Sequence, residues 1–202
     1  MTRLGILGGT FDPPHMAHLV MADHALGQLK LERVLFVPAG QPPHKLDRAV
    51  SSVEHRVAMT QLAIASDERF ELSRVDVDRP GPHYTADMLA LVRAARPRAE
   101  FYLIIGSDSL RDLVLWRDPA RVIAQARLAV IRRPDAEPDL SRLKVTLPGI
   151  TERIDWVDAP WLDISSTDIQ RRVRERLSIR HLVSEAIEQY IVEQGLYRSE
   201  SG

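Results

Sequence analysis

Two histidines three residues apart, His15 and His18, follow the loop Gly8-Gly9-Thr10-Phe11-Asp12-Pro13-Pro14 near the start of the chain. At the head of a helix, imidazoles at this spacing offer N–H donors to an anion, beside the free N–H groups and dipole of the helix itself. Glycine, hydroxyl and basic side chains recur further along in Pro42-Pro43-His44-Lys45, Tyr84-Thr85, Gly106-Ser107-Asp108, Arg132-Arg133-Pro134 and Ser165-Ser166-Thr167. There is no cysteine, no G-x-S-x-G elbow and no P-loop, and Gly5-Ile-Leu-Gly8-Gly9 lacks the spacing of a dinucleotide fingerprint. The histidine pair has no third ligand at helical spacing, so no protein metal site is expected. This inventory suits gripping anionic oxygens rather than forming a covalent intermediate. When one phosphate attacks another, the nucleophile is already ionised and needs no general base. The protein then has to align two anions and neutralise charge on the reacting phosphorus, with Mg²⁺ expected to bridge the leaving phosphates.

Such groups need a scaffold that brings them to one place. Leu4, Ile6 and Leu7 form an apolar run, as does Val34-Leu-Phe-Val-Pro38, and both read as buried parallel strands. Phe70-Glu-Leu-Ser73 is a short strand, Phe101-Tyr-Leu-Ile-Ile105 the strongest one, and Leu128-Ala-Val-Ile131 and Ile154-Asp-Trp-Val157 follow. Helical spacing begins at His18 with Leu19, Ala22, Leu26 and Leu29, and returns over 52–66 with Ser51 or Ser52 as cap, over 84–95, from Ile164, and over 184–194 up to Gly195. Residues 134–150, rich in Pro and Asp, show no period and read as a mobile excursion. Strands alternating with helices predict an α/β fold, a Rossmann-like open parallel sheet with helices on both faces. Ligands then bind beyond the carboxyl ends of the strands, where each cluster above falls.

The whole-chain numbers bound the class. At 202 residues, with 45% hydrophobic and 27% charged side chains, a single domain over 1–202 with a sizeable core is expected. A formal charge of −1 argues against a nucleic-acid binder. No run approaches the roughly 18 apolar residues of a membrane span and no signal-peptide pattern opens the chain, so the expectation is a cytoplasmic protein without membrane contact.

Taken together, Gly-Gly-Thr-Phe-Asp-Pro-x-His-x-x-His and Ile164-Ser-Ser-Thr-Asp-Ile-Gln170 resemble the nucleotidyltransferase superfamily with the (T/H)-x-G-H signature. Pro-Pro-His-Lys and Tyr84-Thr85-Ala-Asp87 narrow the resemblance to its bacterial nicotinate mononucleotide adenylyltransferases, and it runs over nearly the whole chain. The resemblance implies adenylyl transfer from ATP to nicotinate mononucleotide, with His15 and His18 as the catalytic pair. It implies that Gly8, Gly9, Thr10, Phe11, Gly106, Asp108, Arg133, Ser166 and Thr167 join the two histidines in binding ATP. It assigns Lys45, Thr85, Ser107, Asp108 and Trp116 to the mononucleotide, Trp116 by stacking on the pyridine ring.

Three positions depart from the pattern. Ala17 replaces the signature glycine, Met88 a threonine, and Gln170 an arginine. A neutral amide does not replace a guanidinium on phosphate, which leaves Arg171 or Arg172 to compensate. Two other readings share these features: a phosphopantetheine adenylyltransferase, against which the Pro-Pro-His-Lys loop and Thr85 count, and a nucleotide sensor without turnover, which Ala17 and Gln170 favour.

Overall fold

The computed structural model describes residues 2–40, 50–132 and 139–198. Lys45 and Arg133 lie outside them, as does the rest of Pro42-Pro43-His44-Lys45. Among the described residues, six strands form one sheet: β1 (Arg3–Gly9), β2 (Arg33–Pro38), β3 (Phe70–Leu72), β4 (Glu100–Gly106), β5 (Arg127–Ile131) and β6 (Ile154–Val157). Their order is β3-β2-β1-β4-β5-β6 and every neighbouring pair is parallel. The order reverses at β1, which pairs with β2 on one side and β4 on the other. An open parallel sheet leaves a crevice at that reversal, outside the carboxyl ends of its strands.

The strands read as unbroken apolar runs because both faces are covered. Successive side chains alternate between two cores. Leu4, Ile6, Leu103 and Ile105 pack on one face with α3 (Thr85–Ala95), α5 (Pro119–Gln125) and α6 (Ser141–Thr146). Leu7, Phe36, Tyr102 and Ile104 pack on the other with α1 (Met16–Gln28), α2 (Val53–Ile64), α7 (Ser166–Arg174) and α8 (Glu185–Glu193). The expected stripe Leu19, Ala22, Leu26 and Leu29 faces this second core, though α1 begins at Met16, two residues before the apolar spacing starts. A short helix, α4 (Ser107–Arg111), follows β4 directly and runs into a 3-10 turn over Asp112–Leu115.

Two segments differ from the sequence expectation. From residue 139 onward the supposed excursion is ordered as α6 and a second 3-10 turn over Ile150–Arg153. Leu143, Leu147 and Ile150, spaced four and three apart, bury to 1%, 3% and 0% exposure. Helix α5 was not foreseen either, although Asp118 accepts the Arg121 N–H as its cap and Pro119 occupies its first turn. None of the described helices is long and apolar enough to cross a membrane.

Candidate active site

β1 ends at Gly9 and β4 at Gly106, and between these two ends opens a cavity of about 540 Å³. Its volume suits a small-molecule ligand. Gly8, Gly9, Thr10, His15 and His18 line it from the first strand end, and Ala17 adds its methyl at the signature-glycine position. Gly106, Asp108 and Ser109 line it from the central strand end. Tyr84, Thr85, Met88, Trp116 and Arg117 form the side formed by α3 and the turn after the first 3-10 segment.

The loop between β1 and α1 is held rigidly. Phe11 adopts a left-handed φ of 52°, which only a tightly packed non-glycine residue sustains. Its buried ring contacts Phe36 and meets His18 edge-on, with centroids 5.9 Å and 5.0 Å away. A Cβ at Gly9 would lie 2.9 Å from the same ring, so that glycine makes room for Phe11. Phe11 therefore supports the cavity from behind rather than lining it.

His15 and His18 stack with centroids 3.8 Å apart and their planes tilted by 31°. The His15 N–H donates to Nδ1 of His18 at 3.1 Å. With Nδ1 accepting, the neutral ring carries its proton on Nε2. His15 is 7% exposed, its Nδ1 has no hydrogen-bond partner, and burial pulls its pKa down to about 4. It is therefore uncharged near neutral pH.

Beneath this pair lies a buried polar network. Asp12, 4% exposed, accepts from the Ser51 N–H at 3.1 Å, from the Gln170 amide at 3.2 Å and from the Tyr197 hydroxyl at 2.6 Å. Gln170 also donates to the Asp12 carbonyl at 2.7 Å. Arg56, 1% exposed, donates to the carbonyls of Thr10 (2.9 Å), Ala39 (2.6 Å), Gly40 (2.6 Å) and Ser51 (3.1 Å). Burial lowers the pKa of this guanidinium and the charge of Asp12 opposes the shift. Asp76 completes the frame: it accepts the Gly40 N–H at 3.1 Å and two Arg79 bonds at 2.9 Å and 2.7 Å. The His83 ring packs so closely on Gly40 that a Cβ there would lie 2.2 Å from it.

The second hydroxyl cluster adjoins the first loop. Ser165 caps α7 by accepting the Asp168 N–H at 3.1 Å, and Ser166 donates to the Pro13 carbonyl at 2.8 Å. Of this segment, Ile164 lines the cavity, Ser166 and Thr167 do not, and Thr167 is exposed. Thr85 opens α3 as its first residue rather than capping it, and lines the cavity. Trp116 follows the 3-10 turn in extended conformation, half-buried on the cavity, while Leu110 and Leu113 are fully buried and Leu115 is 77% exposed. Ser107 is 2% exposed with an unpartnered hydroxyl, and Ser109 is the serine that reaches the cavity. Arg171 and Arg172 do not line the cavity. Both grip Asp168, through contacts of 2.6 Å and 2.7 Å.

Residues that the sequence did not single out therefore hold the site: Asp12, Arg56, Asp76, His83 and Tyr197. Arg117 was within reach as the neighbour of Trp116. Arg56 was not, because its partners are carbonyls 5 to 46 positions away.

Comparison with known proteins shows what the whole chain is similar to. A family model described as Cytidylyltransferase-like matches residues 6–172. A relative from Thermomicrobium roseum, named a probable nicotinate-nucleotide adenylyltransferase, is 46% identical over 98% of this chain and 93% of its own length. A Thermus thermophilus relative of the same name is 42% identical over 97% of this chain and 100% of its own. Among solved structures, a Plasmodium falciparum nicotinic acid mononucleotide adenylyltransferase complexed with NaAD superposes with a TM-score of 0.79 at 21% identity, covering 98% of both chains.

Proposed function

We propose, for a chain that belongs to the cytidylyltransferase-like family, the transfer of an adenylyl group from ATP to nicotinate mononucleotide, giving deamido-NAD and pyrophosphate in NAD biosynthesis. A phosphate oxygen of the mononucleotide attacks the α-phosphorus of ATP. The bond from that phosphorus to the bridging oxygen breaks, and its electron pair leaves with pyrophosphate.

In this reading His18 is the central donor. Its Nδ1 accepts the His15 N–H, which puts the ring proton on Nε2, the donor that this reading assigns to a phosphoryl oxygen as charge builds. His15, uncharged and buried, fixes that orientation and acts through its dipole rather than as a cation. The N-terminus of α1, with Gly8, Gly9 and Thr10 beside it, receives the phosphates of ATP. Lys45 and Arg133 supply positive charge, and Ser166 and Thr167 at the head of α7 extend the cradle. Gly106 and Asp108 hold the sugars, and Trp116 with Thr85 takes the pyridine ring.

No cluster of three His, Cys, Asp or Glu side chains able to hold a metal occurs among the described residues. A divalent ion, which we take to be Mg²⁺, would come with the triphosphate and would supply positive charge against the repulsion of the phosphates that the groups above orient. ATP and the mononucleotide are the partners of this reading, and its compartment is the cytoplasm.

The observation that carries the reading is the meeting of the stacked His15–His18 pair with Tyr84, Thr85 and Trp116 around one cavity at the sheet reversal. Pyrophosphate release from ATP tests it, with nicotinate mononucleotide, nicotinamide mononucleotide and phosphopantetheine offered in turn. Release with the first supports the proposal. Release with phosphopantetheine alone replaces the acceptor, and none with any of the three leaves a nucleotide sensor.

A further inference from the structure

Nicotinate and nicotinamide mononucleotides differ in one group on a flat ring: a carboxylate in one, a neutral carboxamide in the other. A site that prefers the acid benefits from a group that attracts charge and only donates hydrogen bonds. Arginine meets both conditions, since its guanidinium has no acceptor and its fork matches a carboxylate.

We propose that Arg117 is the specificity-determining residue of this site, pairing its guanidinium with the carboxylate on the pyridine ring. The inference rests on the adenylyl-transfer reading above and names how that site tells its acceptor from the amide.

Four observations support it. Arg117 is the arginine among the described cavity-lining residues, and among the described residues it makes no ion pair. The cavity's Asp76 is already taken by Arg79 at 2.7 Å, so Arg117 is not needed to neutralise it. Arg117 follows Trp116 directly, so a ring lying on the indole has its substituent within reach of the next side chain. Its guanidinium carbon sits 6.0 Å from the centre of the Tyr84 ring, which holds it over the α3 side of the cavity.

The turn that presents it is anchored independently. Asp118, with a left-handed φ of 52°, turns its carboxylate to the Arg121 N–H at 3.2 Å rather than to Arg117. Helix α5 is tied to α3 by Arg121–Asp87 at 2.7 Å and by Gln125 donating to the Ala86 carbonyl at 2.9 Å. Arg117 itself is exposed, so its substitution does not open a buried hole. Exposure also sets the scale: a solvated charge pair contributes modestly and is screened by salt.

The test uses the full chain and measures kcat/KM with ATP for the acid and the amide mononucleotide, in wild type, Arg117→Met and Arg117→Lys, at low and high salt. The expected result is a fall of about tenfold in the acid-to-amide ratio for Arg117→Met, with Arg117→Lys in between. The wild-type ratio declines with added salt, and that decline is lost in Arg117→Met. An unchanged ratio overturns the proposal, and so does an equal loss on both substrates, which marks a phosphate contact or a structural role. If wild type turns over neither mononucleotide, the adenylyl-transfer reading fails by itself. Calorimetric binding of the two to wild type and Arg117→Met then decides: discrimination retained by the variant, or absent from wild type, overturns Arg117's role.

Discussion

The hydroxyl of Tyr197 donates a 2.6 Å hydrogen bond to Oδ1 of Asp12, joining residues 185 positions apart. Asp12 belongs to the loop that carries His15 and His18, so the turn at Tyr197 clamps that loop. Burial and the Asp12 charge raise the Tyr197 pKa above its usual value, and the hydroxyl remains a donor throughout the neutral range. Tyr197→Phe removes one donor from a buried carboxylate without changing the ring. The expected cost is about 1.5–3 kcal/mol, read as a lower denaturation midpoint with an unchanged slope. A variant as stable as wild type contradicts the clamp.

Gly40 is gripped from three sides. Asp76 takes its N–H, Arg56 its carbonyl, and the His83 ring occupies the space a side chain would need. Gly40→Ala is expected to destabilise by about 1–3 kcal/mol through overpacking. Adding His83→Ala restores part of that loss, and the double-mutant cycle therefore shows a coupling of at least about 0.5 kcal/mol. Additive effects of the two changes contradict the packing described.

The buried His15 makes stability depend on acidity. In the unfolded chain its imidazole binds a proton near pH 6.5, whereas in the folded chain it does so only near pH 4. Between these values the unfolded state holds more protons, so stability falls as the pH is lowered and this contribution is complete above about 6.5. The difference corresponds to about 3 kcal/mol. Urea titrations at pH 7 and pH 4.5 measure it, and His15→Asn removes this part of the slope.

His18 is expected to matter more in the transition state than in binding. His18→Ala lowers kcat by a factor of about 10²–10³, in line with the loss of one preorganised donor, while the dissociation constant of ATP changes far less. Single-turnover rates and equilibrium binding separate the two quantities. Equal losses in both reassign His18 to binding alone.

Much of this architecture was legible because parallel strands covered on both faces must be apolar throughout. The runs at Leu4, Val34, Phe101, Leu128 and Ile154 announced five of the six strands within a few residues, and Phe70 the short edge strand. The glycine and histidine cluster was equally visible, since its residue types are poor choices for a core. Residues 140–153 were hidden behind the prolines and aspartates of 134–139, although Leu143, Leu147 and Ile150 kept a helical spacing that could have been found. Arg56 left no signal of any kind, and Asp12, although it stands in the loop motif, gave no sign of being a buried anchor. The partners of Arg56 are main-chain carbonyls and those of the Asp12 carboxylate are the Ser51 N–H and the Gln170 and Tyr197 side chains, all brought near by the fold. A charged side chain inside a helical pattern, such as Arg56, reads as solvated until its neighbours are known. Gln170, standing where the resembled motif has an arginine, ties α7 to the Asp12 loop, a contact that residue type and spacing do not announce.

One guanidinium, that of Arg56, holds carbonyls from both the first and the second strand-end loops. Neither loop can drift without dragging the other, so damage to one is expected to spread to both and their mutations to be strongly epistatic. The turn at 116–118 stands apart from that bolt. Substitutions in this turn are therefore expected to leave the two loops joined by Arg56 in place, which makes the rim around Arg117 the part of the cavity wall freest to change.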